Sequence, residues 1–191
     1  MVCMDYRSHM VNIVTLGDGK RYMLDVGFGR YGPIRPLLLD AEGSMGPGIG
    51  AAATRLVKRN IPQNSDRGQE LWVYEHRSDP HSEWLAMYSF SEVEFLPEDY
   101  EMMSFWTSRS RKIYFTYRVV VVRMVMEEGE VVGTLVLVGG ELKRRVGGKM
   151  EVLRVCVNEE QRVEVLGEWF DIRFSDQEKA GIRGMVTELR E

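Results

Sequence analysis

The sequence predicts an α+β protein, and three observations predict it. Apolar, β-branched runs separated by Gly-, Pro- and Asn-containing turns occupy the first ninety or so residues. A second set of longer runs follows, with turns at Gly139-Gly140 and Gly147-Gly148 that supply the positive φ values a tight hairpin needs. Helix-start signals come only around and after these strands: Pro97 with acids behind it, Asn158 with Gln161, and Ser175 with Glu178.

The chain opens on a hairpin. His9 to Leu16 is an apolar run, Gly17-Asp18-Gly19 carries turn chemistry, and Arg21 to Phe28 is a second apolar run. It ends in Gly27, Gly29, Gly32, Pro33 and Pro36, where prolines stop ladder pairing. A three-residue loop closed by a left-handed glycine pairs Leu16 with Lys20. Counting back, Val11 lies opposite Asp25 and His9 opposite Gly27, so His9 and Asp25 share a face as diagonal neighbours roughly 7–8 Å apart. A two-residue loop pairs Asp25 with Asn12 instead and turns the two side chains to opposite faces. The chemistry therefore hinges on the bulged turn.

A histidine on an apolar strand is usually a satisfied structural residue. Asp25 changes the weighing, because a carboxylate between Leu24 and Val26 is costly to bury unless something pairs with it. A nearby imidazole is the natural partner, and an Asp that orients a His is the second half of a nucleophile, base and orienter relay.

Asp40 to Ala53 is rich in Gly and Ala and reads as a loop or linker. Strands are expected at Thr54–Arg59, Glu70–His76 and Trp84–Phe90, which with the hairpin make about five, enough for a small antiparallel barrel or sandwich. His76 and His81 lack metal-ligand spacing and read as part of a solvated loop, so no metal site is expected. Pro97 opens a short helix with Glu98, Asp99 and Glu101 in its first turns. Its end, Phe105 to Lys112, mixes aromatics, hydroxyls and cations, which suits either a ligand with a π-system and phosphates or an ordinary helix end. Strands then follow at Tyr114–Met126, Val131–Val138, Glu141–Val146 and Lys149–Val157, before a helix with the stripe Val163, Leu166, Trp169 and Phe170.

Composition bounds the function. The chain has 191 residues, 44% of them hydrophobic, enough for one or two domains with a core. Its 25 basic and 29 acidic residues are interspersed and sum to −4, which argues against a dedicated nucleic-acid surface. Two cysteines make no disulfide framework, and the default is a reducing, cytoplasmic setting. Asp5 and Arg7 interrupt any signal-peptide core, and the longest apolar run, Val119 to Val122, is far too short to cross a bilayer, so no membrane partner is expected.

With these residues in view, the sequence resembles the arylamine N-acetyltransferase family, in particular its filamentous-fungal branch. The matching stretches are His9-Met10-Val11-Asn12-Ile13-Val14, Asp18-Gly19, Tyr22 to Gly29, Gly32-Pro33, Arg35-Pro36-Leu37, Phe95 to Glu101, Phe105 to Ser110, Phe115 and Trp169 to Ile172, nearly the whole chain. The resemblance implies a β-barrel domain over residues 1–96 and an α/β lid of β-meander and C-terminal helices over 97–191. It implies acyl transfer from acetyl-CoA to the nitrogen of an aromatic amine or hydrazine through a Cys-His-Asp relay, with His9 as base and Asp25 as orienting carboxylate. It further implies Trp106, Ser108, Ser110 and Lys112 as contacts to the CoA thioester, and Phe28 and Arg30 as lining of the amine pocket.

One departure accompanies the match. The family's nucleophile lies in an Arg-Gly-Gly-x-Cys motif within an N-terminal helical domain, and no such motif occurs in this sequence. Cys3, six residues before His9, is about 20 Å away in an extended segment at roughly 3.3 Å per residue, out of reach of the base. Cys156 reads as a small apolar strand residue. The expectation is thus a truncated member without the helical domain, inactive by itself; the alternative is a non-catalytic, CoA-binding remnant.

Overall fold

The computed structural model describes residues 5–6, 9–40 and 42–190, so Cys3 lies outside the described residues. The chain divides into two compact units, Met1–Glu94 and Phe95–Glu191.

The first unit holds eight strands: β1 (Asp5–Tyr6), β2 (Asn12–Thr15), β3 (Arg21–Leu24), β4 (Leu37–Leu38), β5 (Ser44–Pro47), β6 (Ala53–Arg59), β7 (Leu71–Arg77) and β8 (Leu85–Phe90). They form a five-stranded sheet in the order β1-β8-β7-β6-β5 and a three-stranded sheet in the order β2-β3-β4. Pairing is antiparallel except between β1 and β8, which run parallel. The two sheets share one core, in which Met23, Leu37 and Leu39 meet Leu56, Trp72, Tyr74, Met87, Tyr88 and Phe90. The stretch read as a loop, Asp40 to Ala53, contains β5, which pairs with β6 from Ser44↔Leu56 to Pro47↔Ala53. Propensity misses it because Gly46 and Pro47 are poor strand residues; an added Cβ on Gly46 would collide with the buried Leu37 side chain, so close packing favours glycine there.

Glu92 ties the two sheets together. Its carboxylate accepts hydrogen bonds from Trp72 Nε1 at 2.8 Å and Lys58 Nζ at 3.2 Å on one sheet, and from the Arg21 guanidinium on the other. The Trp72 indole and the Arg21 guanidinium, outweighing partial burial and helped by Lys58, pull its pKa down to about 2.

The second unit begins with α1 (Pro97–Arg109), whose first turn is closed by the Leu96 N–H donating to Asp99 Oδ2 at 2.9 Å. Four antiparallel strands follow, β9 (Val120–Glu127), β10 (Glu130–Val138), β11 (Glu141–Val146) and β12 (Lys149–Val155), in the order β12-β11-β10-β9. The strand expected from Tyr114 starts later, because Tyr114–Thr116 forms a 3-10 turn stapled by Thr116 Oγ1 donating to Ile113 O. Asn158 caps α2 (Glu159–Phe170) by accepting from Gln161 N at 3.1 Å. Ser175 and Glu178 close a capping box on α3 (Asp176–Ala180). The face of α2 against the sheet is Val165 and Leu166 over Leu137, Leu142 and Cys156, with Trp169 and Phe170 at its edge. It also buries Arg162, which pairs with Glu159 and donates to the carbonyls of Gly139 and Thr187. The architecture is the α+β arrangement read from the sequence, with strands dominating both halves.

Candidate active site

The site is built on the β2–β3 hairpin. Leu16 N donates to Lys20 O at 2.8 Å, Gly19 N to Leu16 O at 2.9 Å, and Gly19 adopts φ +81°, so the connection is the bulged three-residue turn. The ladder pairs Thr15↔Arg21, Val14↔Tyr22, Ile13↔Met23 and Asn12↔Leu24, the register expected from that turn. A two-residue turn would have paired Asn12 with Asp25 instead.

The ladder stops at Leu24 because the Asp25 side chain captures the backbone beyond it. Asp25 Oδ1 accepts from Gly27 N at 2.9 Å and Phe28 N at 3.2 Å, an Asx turn that replaces strand pairing. Its other oxygen, Oδ2, accepts from Tyr88 Oη at 2.6 Å and faces His9 Nε2 at 2.9 Å. The Asp25 side chain is 0% exposed and that of His9 19%. The His9 ring nitrogen is at bonding distance, but its N–H is turned off the line to Oδ2, so the contact is close without being an aligned hydrogen bond.

Burial raises the Asp25 pKa, and the His9 contact, the Tyr88 hydroxyl and the Gly27 N–H pull harder in the opposite direction. The carboxyl is held below the ordinary carboxylate range and is ionised at neutral pH. The same carboxylate acts on its neighbours. Burial, and then the Asp25 charge, push both the Tyr88 and the Tyr74 phenols up, so Tyr88 stays a donor throughout the physiological range.

Aromatic rings wall the imidazole. The Phe28 ring lies edge-on to His9 at 5.0 Å, Tyr88 at 4.8 Å, and Tyr74 stacks on Tyr88 at 4.8 Å. Tyr74 Oη donates to Tyr31 O at 2.7 Å and so anchors the 3-10 turn Gly29–Tyr31. Arg30, in this turn, packs over the Tyr31 ring at 4.1 Å and donates to Tyr31 Oη. With Nε2 committed to Asp25, Nδ1 is the imidazole nitrogen available to a reacting group.

The sequence missed Tyr88 and Tyr74. Both sit in expected strands, but which strand faces the hairpin is a long-range fact, and Met87 to Phe90 are all buried, so no local pattern singles out Tyr88. His76 corrects another reading: it lies on β7 and is 6% exposed, edge-on to Tyr31, whereas His81 is in an exposed turn organised by Asp79. Among the described residues no group of three or more His, Cys, Asp or Glu side chains is placed to hold a metal ion.

The remaining expected site residues belong to the second unit. Trp106 is 57% exposed on α1, beside Phe105 and Met102, at 67% and 75%. Ser108 Oγ donates to Phe105 O, and Ser110 ends the helix with its N–H on Trp106 O and its Oγ accepting from Lys112 N. Lys112 is exposed. Cys156 is buried in this unit's core, where burial pushes its thiol pKa up, the opposite of an activated nucleophile. No helix among the described residues is long and apolar enough to cross a membrane.

Comparison with known proteins bears on this geometry. The sequence model of a family described as N-acetyltransferase matches residues 3–179. The N-malonyltransferase FDB2 of Fusarium pseudograminearum is 36% identical over 185 residues, covering 92% of this chain and 53% of that protein. The protein of the same name from Gibberella moniliformis is 32% identical over 181 residues, covering 90% and 52%. The chain thus spans about half the length of the curated relatives it matches. Among solved structures, the arylamine N-acetyltransferase of Mycobacterium abscessus shares the fold with a TM-score of 0.71 at 20% identity, over 91% of this chain and 57% of that one. That of Nocardia farcinica gives 0.69 at 28% identity, over 94% and 59%. The Mycobacterium marinum enzyme, solved in complex with CoA, gives 0.64 at 23% identity, over 95% and 58%. With the family match running across most of its length, the chain belongs to the arylamine N-acetyltransferase family.

Proposed function

We propose that this chain carries the base and orienting half of a site that moves a short acyl group from a CoA thioester to the nitrogen of an aromatic amine or hydrazine. The observation that carries the reading is the buried, ionised Asp25 at 2.9 Å from His9 Nε2, which leaves Nδ1 as a base. A thiol from outside the described residues serves as nucleophile. His9 Nδ1 takes the thiol proton, and the resulting imidazolium is held by Asp25. The thiolate adds to the thioester carbonyl, and CoA leaves as a thiolate that recovers the proton from His9. The amine nitrogen then attacks the acyl-enzyme, His9 takes its proton, and the regenerated thiolate is protonated in turn. A thiol relay needs its sulfur reduced, which suits a reducing, cytoplasmic setting.

In this reading Phe28 and its aromatic neighbours receive the flat ring of the acceptor, a neutral nucleophile at pH 7. Arg30 borders the same pocket, and Trp106, Ser108, Ser110 and Lys112 contact the CoA. The acyl group is malonyl as well as acetyl, since the relatives bear the name N-malonyltransferase. The test is release of free CoA from acetyl-CoA and malonyl-CoA by the native gene product in the presence of aniline. Amine-dependent release that is lost in His9→Gln is expected. Saturable CoA binding with no release from either thioester would instead mark a non-catalytic module.

A further inference from the structure

The sheet formed by β2, β3 and β4 turns one face into the core of the first unit, where Met23 and Leu37 are buried. The pairs Val14↔Tyr22, Asn12↔Leu24 and Tyr22↔Leu38 place the alternate positions on its other face. An antiparallel sheet with one solvated face normally carries polar residues there. This face is apolar apart from Asn12 and the Tyr22 hydroxyl, and among the described residues no charged side chain occupies a strand position on it. Val14 is 40% exposed, Met10 beyond the end of β2 is 56% exposed, and Val26 beyond the end of β3 is 99% exposed. Val26 is nonetheless held in place, because Asp25 Oδ1 accepts from the N–H groups of Gly27 and Phe28 and so fixes the backbone around it.

A contiguous apolar patch of this kind marks an interaction surface. Its position and the length of the relatives identify what covers it. Met10 directly follows His9 and Val26 directly follows Asp25, so the patch ends at the same open end of the hairpin as the base and its orienter. A thiol that gives its proton to His9 must come within about 3 Å of the imidazole, so the segment that carries it has to rest against this end. The chain spans only 53% and 52% of the relatives' length, which leaves about as much polypeptide again to supply such a segment. Resting on the acyl-transfer reading above, we infer that the outer face of the hairpin sheet docks the segment bearing the nucleophilic thiol, through an uncharged, apolar surface that covers Val14, Leu24 and Leu38 and reaches over Val26 to His9. Asp25 then has two tasks. Oδ2 faces the base, and Oδ1 holds out the residue against which the thiol's segment rests.

The test uses the native gene product with the photo-crosslinker p-benzoylphenylalanine in place of Val14 or of Val26, irradiated and digested, while the cysteine acylated by acetyl-CoA or malonyl-CoA is mapped in parallel. Crosslinks from both positions should fall in the segment that holds the acylated cysteine. Val14→Lys, on the face opposite to His9 and Asp25, should lower kcat/KM with acetyl-CoA and aniline by about 10-fold, the scale of one valine kept from burial. Val155→Lys, at a 61% exposed valine of the second unit, should leave it unchanged. Crosslinks that join two copies of the hairpin overturn the assignment in favour of a dimer. The absence of any crosslink to protein, with Val14→Lys fully active, overturns it as well. In both cases an acylated cysteine leaves the acyl-transfer reading standing. If no cysteine is acylated by either thioester, that reading falls and the inference falls with it.

Discussion

Asp25 receives three hydrogen bonds on two oxygens and faces His9 across a close contact, and each neighbour does a different job. The Gly27 and Phe28 N–H groups set the backbone, while the Tyr88 hydroxyl and His9 share Oδ2. Replacing Asp25 with Asn keeps the shape but removes the charge and offers an NH₂ where Tyr88 already donates. In the acyl-transfer reading, Asp25→Asn should lower kcat about 10³- to 10⁴-fold, as loss of an orienting carboxylate does in related relays. Tyr88→Phe takes away one charge-assisted hydrogen bond and should destabilise the protein by about 1.5–3 kcal/mol in denaturant unfolding. Its pH signature follows from linkage. Because the folded Asp25 pKa is depressed, its contribution is present above the unfolded carboxylate value and is lost as pH falls through the lower folded value. Tyr88→Phe should therefore cost most near neutrality and progressively less in acid.

At the scale of elements, the hairpin turn and the inter-sheet tie decide whether these side chains meet. Deleting Leu16 keeps the three-residue loop but pairs Thr15 with Lys20, which slips the register by one and turns His9 away from Asp25. That variant should fold less stably and lose acyl transfer entirely, while Gly19→Ala, strained at φ +81° but in register, should cost only about 1 kcal/mol in thermal unfolding and retain activity. Glu92 gives a second handle. With its folded pKa near 2, its support is complete above the ordinary glutamate value of about 4.3 and disappears as pH falls through 2. Glu92→Gln should be less stable than the parent at pH 7, with the gap closing across that window. The hairpin was legible because its turn chemistry is local: Gly17, Asp18 and Gly19 fix the register, and the register brings His9 to Asp25. β5 was not legible, since Gly46 and Pro47 make a strand only where Leu37 needs a residue without a Cβ. Tyr88 was not legible as a partner of Asp25 either, for a contact spanning 63 positions depends on how two sheets face each other. On α2 the apolar stripe pointed to Leu166 but missed Arg162, whose burial is offset by Glu159 and by carbonyls distant in sequence.

Over the whole molecule, each unit has its own core, and each can be perturbed in its own terms. Arg162→Ala leaves the half-buried Glu159, in the first turn of α2, without its cation and frees the Thr187 carbonyl, which should cost the second unit about 3 kcal/mol. Hydrogen exchange should show the loss of protection concentrated in residues 95–190. The catalytic reading, in contrast, rests on the first unit, where the only groups arranged for proton transfer are His9 and Asp25 among the described residues near the hairpin. The most direct test of that reading is intact-mass spectrometry of the native gene product mixed with malonyl-CoA or acetyl-CoA before amine is added. The account predicts a single acyl adduct, mapped by peptide sequencing to a cysteine, discharged by aniline and absent in His9→Gln. An adduct that forms equally well without the His9 imidazole would contradict it.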